Sequence, residues 1–491
     1  LLWIPYELVV SPMHSICVSY GVHACLWVAE RRRKPCPAMR ASRLSVPLLS
    51  LSLSLLLLVV LATVCAASST PKLEEWLQEN NIDIRGAKVA EFPGFGAGMR
   101  ATKDIKEGSL LASIPVATFF TSRAAREDYL KALVEEYPEV NDQLLLALII
   151  HVEKHKTDSK FKTWLDSLPS KFTTSLYFAE PDLEELKGSS LLALTRSRLT
   201  QMEKTYDTIS KFLFEKLPDL FAPETFTFEA FKWAVSTVGA RSFTLNLADG
   251  PLIAMIPGLD AFNYGDVASE FKFNNETNAF EVRAGADIEK DDQILVNTGR
   301  KYNLDLLLSN GYIHDSESMD VVLMSTRMDE KDKDRELKLA ILASKKLAAD
   351  GFFYLTRDKV SEALLTSLRI QLAEGEDLVV LARNTTSGPI SLKNELQVYR
   401  TILAACETMF REYQTTVDED RAKLKKNLPQ STRNAIRLRL GEKEVLQATV
   451  SNIVALWRDF LVYDFPPIRP EDKTASTEGE QSSSASQKDE L

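Results

Sequence analysis

The sequence predicts an α+β fold followed by an all-helical region, and three patterns carry that expectation. Short apolar runs separated by glycine and charged turns occur in two blocks, KVAEF to ATFFT and Leu252 to Val296, with the spacing of hairpin strands. Between the two lies a stretch whose apolar residues recur at helical intervals, so helices are inserted between two strand regions. Beyond about Ser316 long amphipathic periods take over, which sets a second domain apart.

In chain order, Lys72 to Asn81 reads as a helix, and KVAEF, SLLASIP and ATFFT read as strands. Asn141 to Lys156, Lys160 to Ser167, Asp182 to Phe214 and Phe228 to Arg241 read as helices. Strands return from Leu252 to Val296, with turn signals at Asn274-Asn275 and Gly285-Ala286. Lys331 to Ala349, Ser361 to Ala373, Lys393 to Tyr413 and Arg433 to Leu461 complete the helical region.

The two ends of the chain carry addresses. Met39 begins MRASR, followed by an apolar run from Val46 to Leu61 and the small residues Val64-Cys65-Ala66-Ala67. That order is a secretory signal peptide over residues 39–66, and the run is short for a membrane-spanning helix of ~20 residues. Lys488-Asp489-Glu490-Leu491 ends a Ser-rich acidic tail, residues 467–491, expected to be disordered so that the KDEL receptor can reach it. Together these place the protein in the endoplasmic reticulum lumen, and no further apolar run approaches spanning length in the mature chain.

Composition narrows the function classes. Of 491 residues, 45% are hydrophobic and 26% charged, an ordinary globular balance. Net charge of -10 argues against nucleic acid as a partner and leaves a basic protein segment as a possible one. Cys17, Cys25, Cys36 and Cys65 fall in or before the signal, so Cys406 is alone in the mature chain and reads as a small buried side chain rather than a nucleophile. Asn275 and Asn384 begin glycan sequons. HVEKH, from His151 to His155, lacks the HExxH order and a third ligand, so no metal site is expected. His314 is assigned no role.

Two motifs suit ligand binding. In GAGMRATKDI, Gly96 and Gly98 allow close backbone approach and Arg100 can supply charge-assisted hydrogen bonds; a plain hairpin turn with an exposed arginine is the alternative. Arg241 ends a helix in ARSF, where a cation is also favoured by the helix C-terminus. These segments occur in order with FKTWLDSLPSKFTTSLYF, FKWAVSTVGARSF, IPGLDAFNYGD and NTGRKYNLDLLLSNGYI, and RLRLGEKEVL lies in the final region. In that order and spacing the chain resembles the SET-domain protein methyltransferases of the Rubisco large-subunit lysine methyltransferase-like class, and also the actin-histidine methyltransferase.

The resemblance implies a SET domain of short sheets with a pseudoknot-like C-terminal segment over 72–315, carrying a helical insertion at about 130–240. A helical substrate-binding domain over 316–466 would follow, and residues 1–38, which have no counterpart in the family, read as a spurious upstream extension. It further implies S-adenosyl-L-methionine as cofactor, held by Arg100, Arg241, Asp260, Asn263, Tyr264, Gly311 and Tyr312. Tyr264 stands where the family has histidine. Asn303 matches the family's closing segment. Thr298 stands where the family has its catalytic tyrosine, and using Tyr302 instead would break the match at Gly299 and Asn303. The implied activity is methyl transfer to a lysine, or a histidine, of a lumenal protein; the alternative is a catalytically weak or inactive SET-derived protein-binding scaffold.

Overall fold

The computed structural model describes residues 72–463, apart from 94, 248–249 and 384–387. The signal peptide, the upstream extension, the KDEL tail and the Asn384 sequon therefore lie outside the described residues. A helix over 72–79 leads into small sheets. Strands β1 (Asp83–Ile84), β2 (Ala87–Phe92), β3 (Gly96–Ala101), β4 (Leu110–Pro115) and β5 (Phe120–Thr121) precede the helical insertion. After it come β6 (Ser242–Leu247), β7 (Gly250–Met255), β8 (Asn263–Tyr264), β9 (Glu270–Asn274), β10 (Ala279–Arg283) and β11 (Gln293–Val296).

Early and late strands interleave. One sheet runs β1-β4-β10-β9, a second β2-β3-β11-β8 and a third β5-β7-β6. In the second, β11 pairs antiparallel with β3 and parallel with β8, so a late strand lies between one from each block. The core is built on these strands: Leu111, Ala112 and Ile114 of β4 and Val282 of β10 are fully buried, as are Ile294 and Val296 of β11. The β9–β10 turn is closed by the Asn274 side chain, whose Oδ1 accepts from the backbone N–H of Glu276 and Thr277 and leaves Asn275 exposed.

In the insertion, Asp142–His155 is capped by Asn141, whose Oδ1 accepts from Leu144 N at 2.9 Å, and it packs against Phe228–Arg241. The expected helix from Asp182 to Phe214 is two helices, Glu180–Glu184 and Ser190–Lys216, the second capped by Ser189. His151 is buried between Phe221 and Phe226, and that burial pushes its pKa down to about 4. His155 meets the carbonyl of His151 through Nδ1 at 2.7 Å and is exposed at the helix end, so only His151 belongs to the core.

The C-terminal region is not all helical. Strands β12 (Val322–Thr326) and β13 (Gly351–Leu355) form an antiparallel pair at its start. The expected helix from Lys331 to Ala349 contracts to Arg335–Ser344 between them. Glu362–Gln371, Leu392–Glu412 and Gln430–Tyr463 are the main helices, and Cys406 is buried among them with its thiol pushed up to about 11 by burial.

Buried charges tie the last helix to the insertion. Arg439 holds Asp420 with Nε at 3.0 Å and also reaches Glu185, while Lys443 holds Asp420 at 2.7 Å. Glu442, next to them, faces Ser189 and Tyr413, whose hydroxyls donate to it at 2.8 and 3.0 Å. Burial pushes its carboxyl from 4.5 up to about 8, with Asp320 adding to the rise and Lys443 opposing it. An acid raised on folding takes up a proton, so its contribution is fully present below pH 4.5 and is lost as pH rises through about 8. Glu442→Gln is expected to remove this slope, on the order of 1 kcal/mol per pH unit, as read from urea midpoints at pH 5 and pH 9. An unchanged slope would mean that Glu442 is ionised at neutral pH.

Candidate active site

Segments remote in sequence enclose a cleft of about 560 Å³. Its walls are the β2–β3 turn from Phe95 to Gly98, the loop from Ser167 to Thr173, the end of helix Phe228–Arg241, the stretch from Gly258 to Tyr264, and Thr298, Lys301, Asn310 and Tyr312. Of the residues singled out in the sequence, Arg241, Asp260, Asn263, Tyr264, Thr298 and Tyr312 converge here.

Arg241 is delivered by a helix that starts at the Thr227 cap and ends where β6 begins. Its Nη1 donates to the Asp260 carbonyl at 2.6 Å and to the Asp260 carboxylate at 3.3 Å. The second carboxylate oxygen accepts from Gly258 N at 3.0 Å, and Trp164 Nε1 donates to the first at 3.1 Å. Burial raises the Asp260 pKa, with Arg241 the largest opposing influence. Both oxygens are committed to protein donors, so the chemistry of Asp260 here is to hold Arg241 against the cleft wall.

Asn263 and Tyr264 form β8. The Asn263 amide donates to the Ala97 carbonyl at 3.1 Å, which fastens β8 to the glycine turn. A side chain at Gly98 would put Cβ 2.5 Å from that amide nitrogen and so displace the Asn263 side chain from this bond. Tyr264 is buried, with its hydroxyl accepting from Lys301 N at 3.2 Å and its carbonyl accepting from the Tyr312 hydroxyl at 3.3 Å. Tyr312 packs its ring on Phe95 with centroids 4.7 Å apart. Burial raises both phenols, so they are neutral at physiological pH.

Two expected site residues stand elsewhere. The Arg100 guanidinium donates to the Asp291 and Glu91 carbonyls at 3.1 and 3.4 Å and lies over Phe92, on the sheet rather than in the cleft lining. Gly311 is not in the lining either: it has φ +87, and a Cβ would lie 2.4 Å from Thr173 Oγ1, which donates to the Gly311 carbonyl at 2.9 Å. Its function is to let the closing segment pass the Thr173 loop, and that turn delivers Tyr312. Asn303 fixes the same segment, accepting from His314 N at 2.8 Å and donating to the His314 carbonyl at 3.0 Å.

Thr298 lines the cleft from the turn after β11, where Gly299 N donates to Asn297 Oδ1 at 3.0 Å. Tyr302 caps the helix Asn303–Ser309 and packs on Tyr354 at 4.8 Å, outside the lining. Two cleft residues escaped the sequence reading. Lys301 sits with its ammonium 5.5 Å from the Tyr264 ring centroid, and burial lowers its pKa. Asn310 donates to the Ala240 carbonyl at 3.2 Å while its Oδ1 is buried with no partner among the described residues. The signal for both was position: Lys301 is flanked by Gly299 and Asn303, and Asn310 precedes Gly311.

Residues 329–446 match the family model described as Rubisco LSMT substrate-binding. The chain is similar to the actin-histidine N-methyltransferase of Mus musculus, 28% identical over 405 residues and covering 78% of this chain and 68% of the relative. The Papio anubis protein of the same name is 27% identical over 413 residues, covering 79% and 69%. Among solved structures, the SET domain of LSMT bound to lysine and AdoHcy superposes with a TM-score of 0.70 at 22% identity, covering 84% of this chain and 96% of the other. Rubisco LSMT bound to AdoMet superposes with a TM-score of 0.66 at 22% identity, covering 83% and 99%. The fold is therefore that of the LSMT SET domain, with a C-terminal region of the LSMT substrate-binding type.

Proposed function

We propose that this chain is an S-adenosyl-L-methionine-dependent protein N-methyltransferase that modifies a lysine of a protein in the endoplasmic reticulum lumen. The observation that carries the reading is the convergence of Arg241, Asn263, Tyr264, Tyr312 and Thr298 on one cleft, in a fold whose solved neighbours hold AdoMet, AdoHcy and lysine. The signal peptide and the KDEL tail support the compartment and imply the KDEL receptor as a partner. Residues 72–315 would carry the chemistry and residues 316–466 would dock the protein substrate.

The residues fit the methyl donor. The orphaned Asn310 Oδ1 is a buried acceptor in the lining. The turn from Gly96 to Gly98 leaves bare backbone at the wall, and Phe95, Tyr264 and Tyr312 supply aromatic faces for a purine or a sulfonium cation. When bound, the donor supplies a methyl group on positively charged sulfur. Arg241, held by Asp260, offers a fixed cation for its carboxylate. Thr298 presents a hydroxyl to the incoming amine from a side chain shorter than the family tyrosine. Positioning alone supplies part of the rate enhancement.

Thr298 also favours a second reading, a scaffold that binds a lumenal protein without chemistry. Titration calorimetry with S-adenosyl-L-methionine separates the two. Binding is expected, weakened about 10- to 100-fold in Arg241→Ala, the equivalent of one charge-assisted hydrogen bond of about 1.5–3 kcal/mol. Absence of binding by the folded wild-type chain would leave only the scaffold.

A further inference from the structure

Lys301 is the cleft residue that the proposed mechanism leaves unused. Its backbone N–H donates to the Tyr264 hydroxyl while its ammonium lies over the ring of the same tyrosine, so the side chain folds back along that aromatic wall. Among the described residues its Nζ has no hydrogen-bond acceptor and no ion pair. Lys171, the other lysine in the lining, is exposed at the rim. Burial disfavours the Lys301 ammonium and shifts it toward the free amine, with Asp305 opposing.

Its place relative to Thr298 gives this amine a consequence. The two residues are on one loop and line one cleft, three positions apart, with Gly299 between them at φ +112. A tyrosine at 298 would fill depth that threonine leaves open. From these placements, and resting on the reading of the cleft as a methyl-donor site, we propose that Lys301 is itself a methyl acceptor and that the chain methylates this lysine in cis.

The step balances with the donor alone. The lone pair of the neutral Lys301 amine forms the N–C bond as the methyl–sulfur bond breaks. The sulfur keeps the electron pair, giving S-adenosylhomocysteine, and the positive charge passes from sulfur to the secondary methylammonium that forms, with no further proton transfer required. The product cation remains over the Tyr264 ring, where an alkylated ammonium is well accommodated. Methylation thereby converts the cleft from one with a reactive amine to one with an alkylated cation on its wall.

The test incubates the mature chain, purified from a host lacking this compartment's modifications, with S-adenosylmethionine carrying a deuterated methyl group, and locates the label by tandem mass spectrometry. Label on Lys301 is expected, with a first-order rate independent of protein concentration and complete loss in Lys301→Arg. Calorimetry on both proteins reports donor binding separately. Donor binding with no label at Lys301, or label only on other lysines, overturns the proposal and leaves the methyltransferase reading standing. A rate that rises with protein concentration overturns transfer in cis. No donor binding by the wild-type chain overturns both.

Discussion

Replacing Thr298 with tyrosine is expected to raise methyl transfer by about 10²-fold or more, the scale of one positioned acid-base or electrostatic group. The surroundings for that hydroxyl are already in place: Thr298 is in the cleft lining, its turn is pinned by the Asn297 side chain, and Tyr264 and Tyr312 line the same cleft. The measurement is transfer of labelled methyl groups to lumenal protein extract by wild-type and Thr298→Tyr chains at equal donor saturation. A rise confined to the variant shows a site whose weakness is one side chain. Equal incorporation, with donor bound in both, shows that residue 298 does not face the reacting atoms and turns the argument toward the scaffold.

Asp320→Ala is expected to cost about 3–5 kcal/mol of stability. Asp320 is buried where the closing segment meets the C-terminal helix. Its carboxylate accepts from Asn303 Nδ2 at 2.8 Å and from Arg357 and Arg437, each at 3.1 Å. Removing it takes a carboxylate partner from Arg357 and Arg437 and leaves Asn303 held only by its two bonds to His314. Denaturant unfolding measures the loss. Asp320→Asn, which keeps one acceptor oxygen but turns the other into an NH2 group facing donors, is expected to recover only part of it. Donor affinity is expected to fall with stability in Asp320→Ala, because Asn303 and Tyr312 share one segment. Full stability in this variant would show that the three contacts are not a keystone.

Much of this architecture was legible in the sequence, for local reasons. Phe228–Arg241 has the expected bounds because Thr227 caps one end and the chain turns into β6 at the other. The strands β12 and β13 were missed because a short apolar run such as GFFYL, lying between helical periods, is ambiguous by periodicity. Within the site, segment order located the cleft but could not assign faces. Arg100 lies on the sheet because Asp291, nearly two hundred residues later, supplies a carbonyl that captures it. Gly311 and Tyr312 are adjacent, yet one gives clearance and the other gives surface. Lys301 went unnoticed in the sequence because only the fold brings its ammonium to 5.5 Å from the Tyr264 ring.

The interleaved sheet also sets a timetable for the newborn chain. One edge of β3 is covered by β2 almost as soon as both are made, but the other edge waits for β11. Between Ala101 and Gln293 roughly 190 residues must be synthesised, on the order of ten to forty seconds at ~5–20 residues per second. Throughout that interval β3 offers unpaired backbone groups to any passing strand, the exposure from which edge-to-edge aggregation starts. Slowing elongation within the insertion would lengthen that window, and the yield of native protein should fall with it even though no residue of the finished molecule has changed.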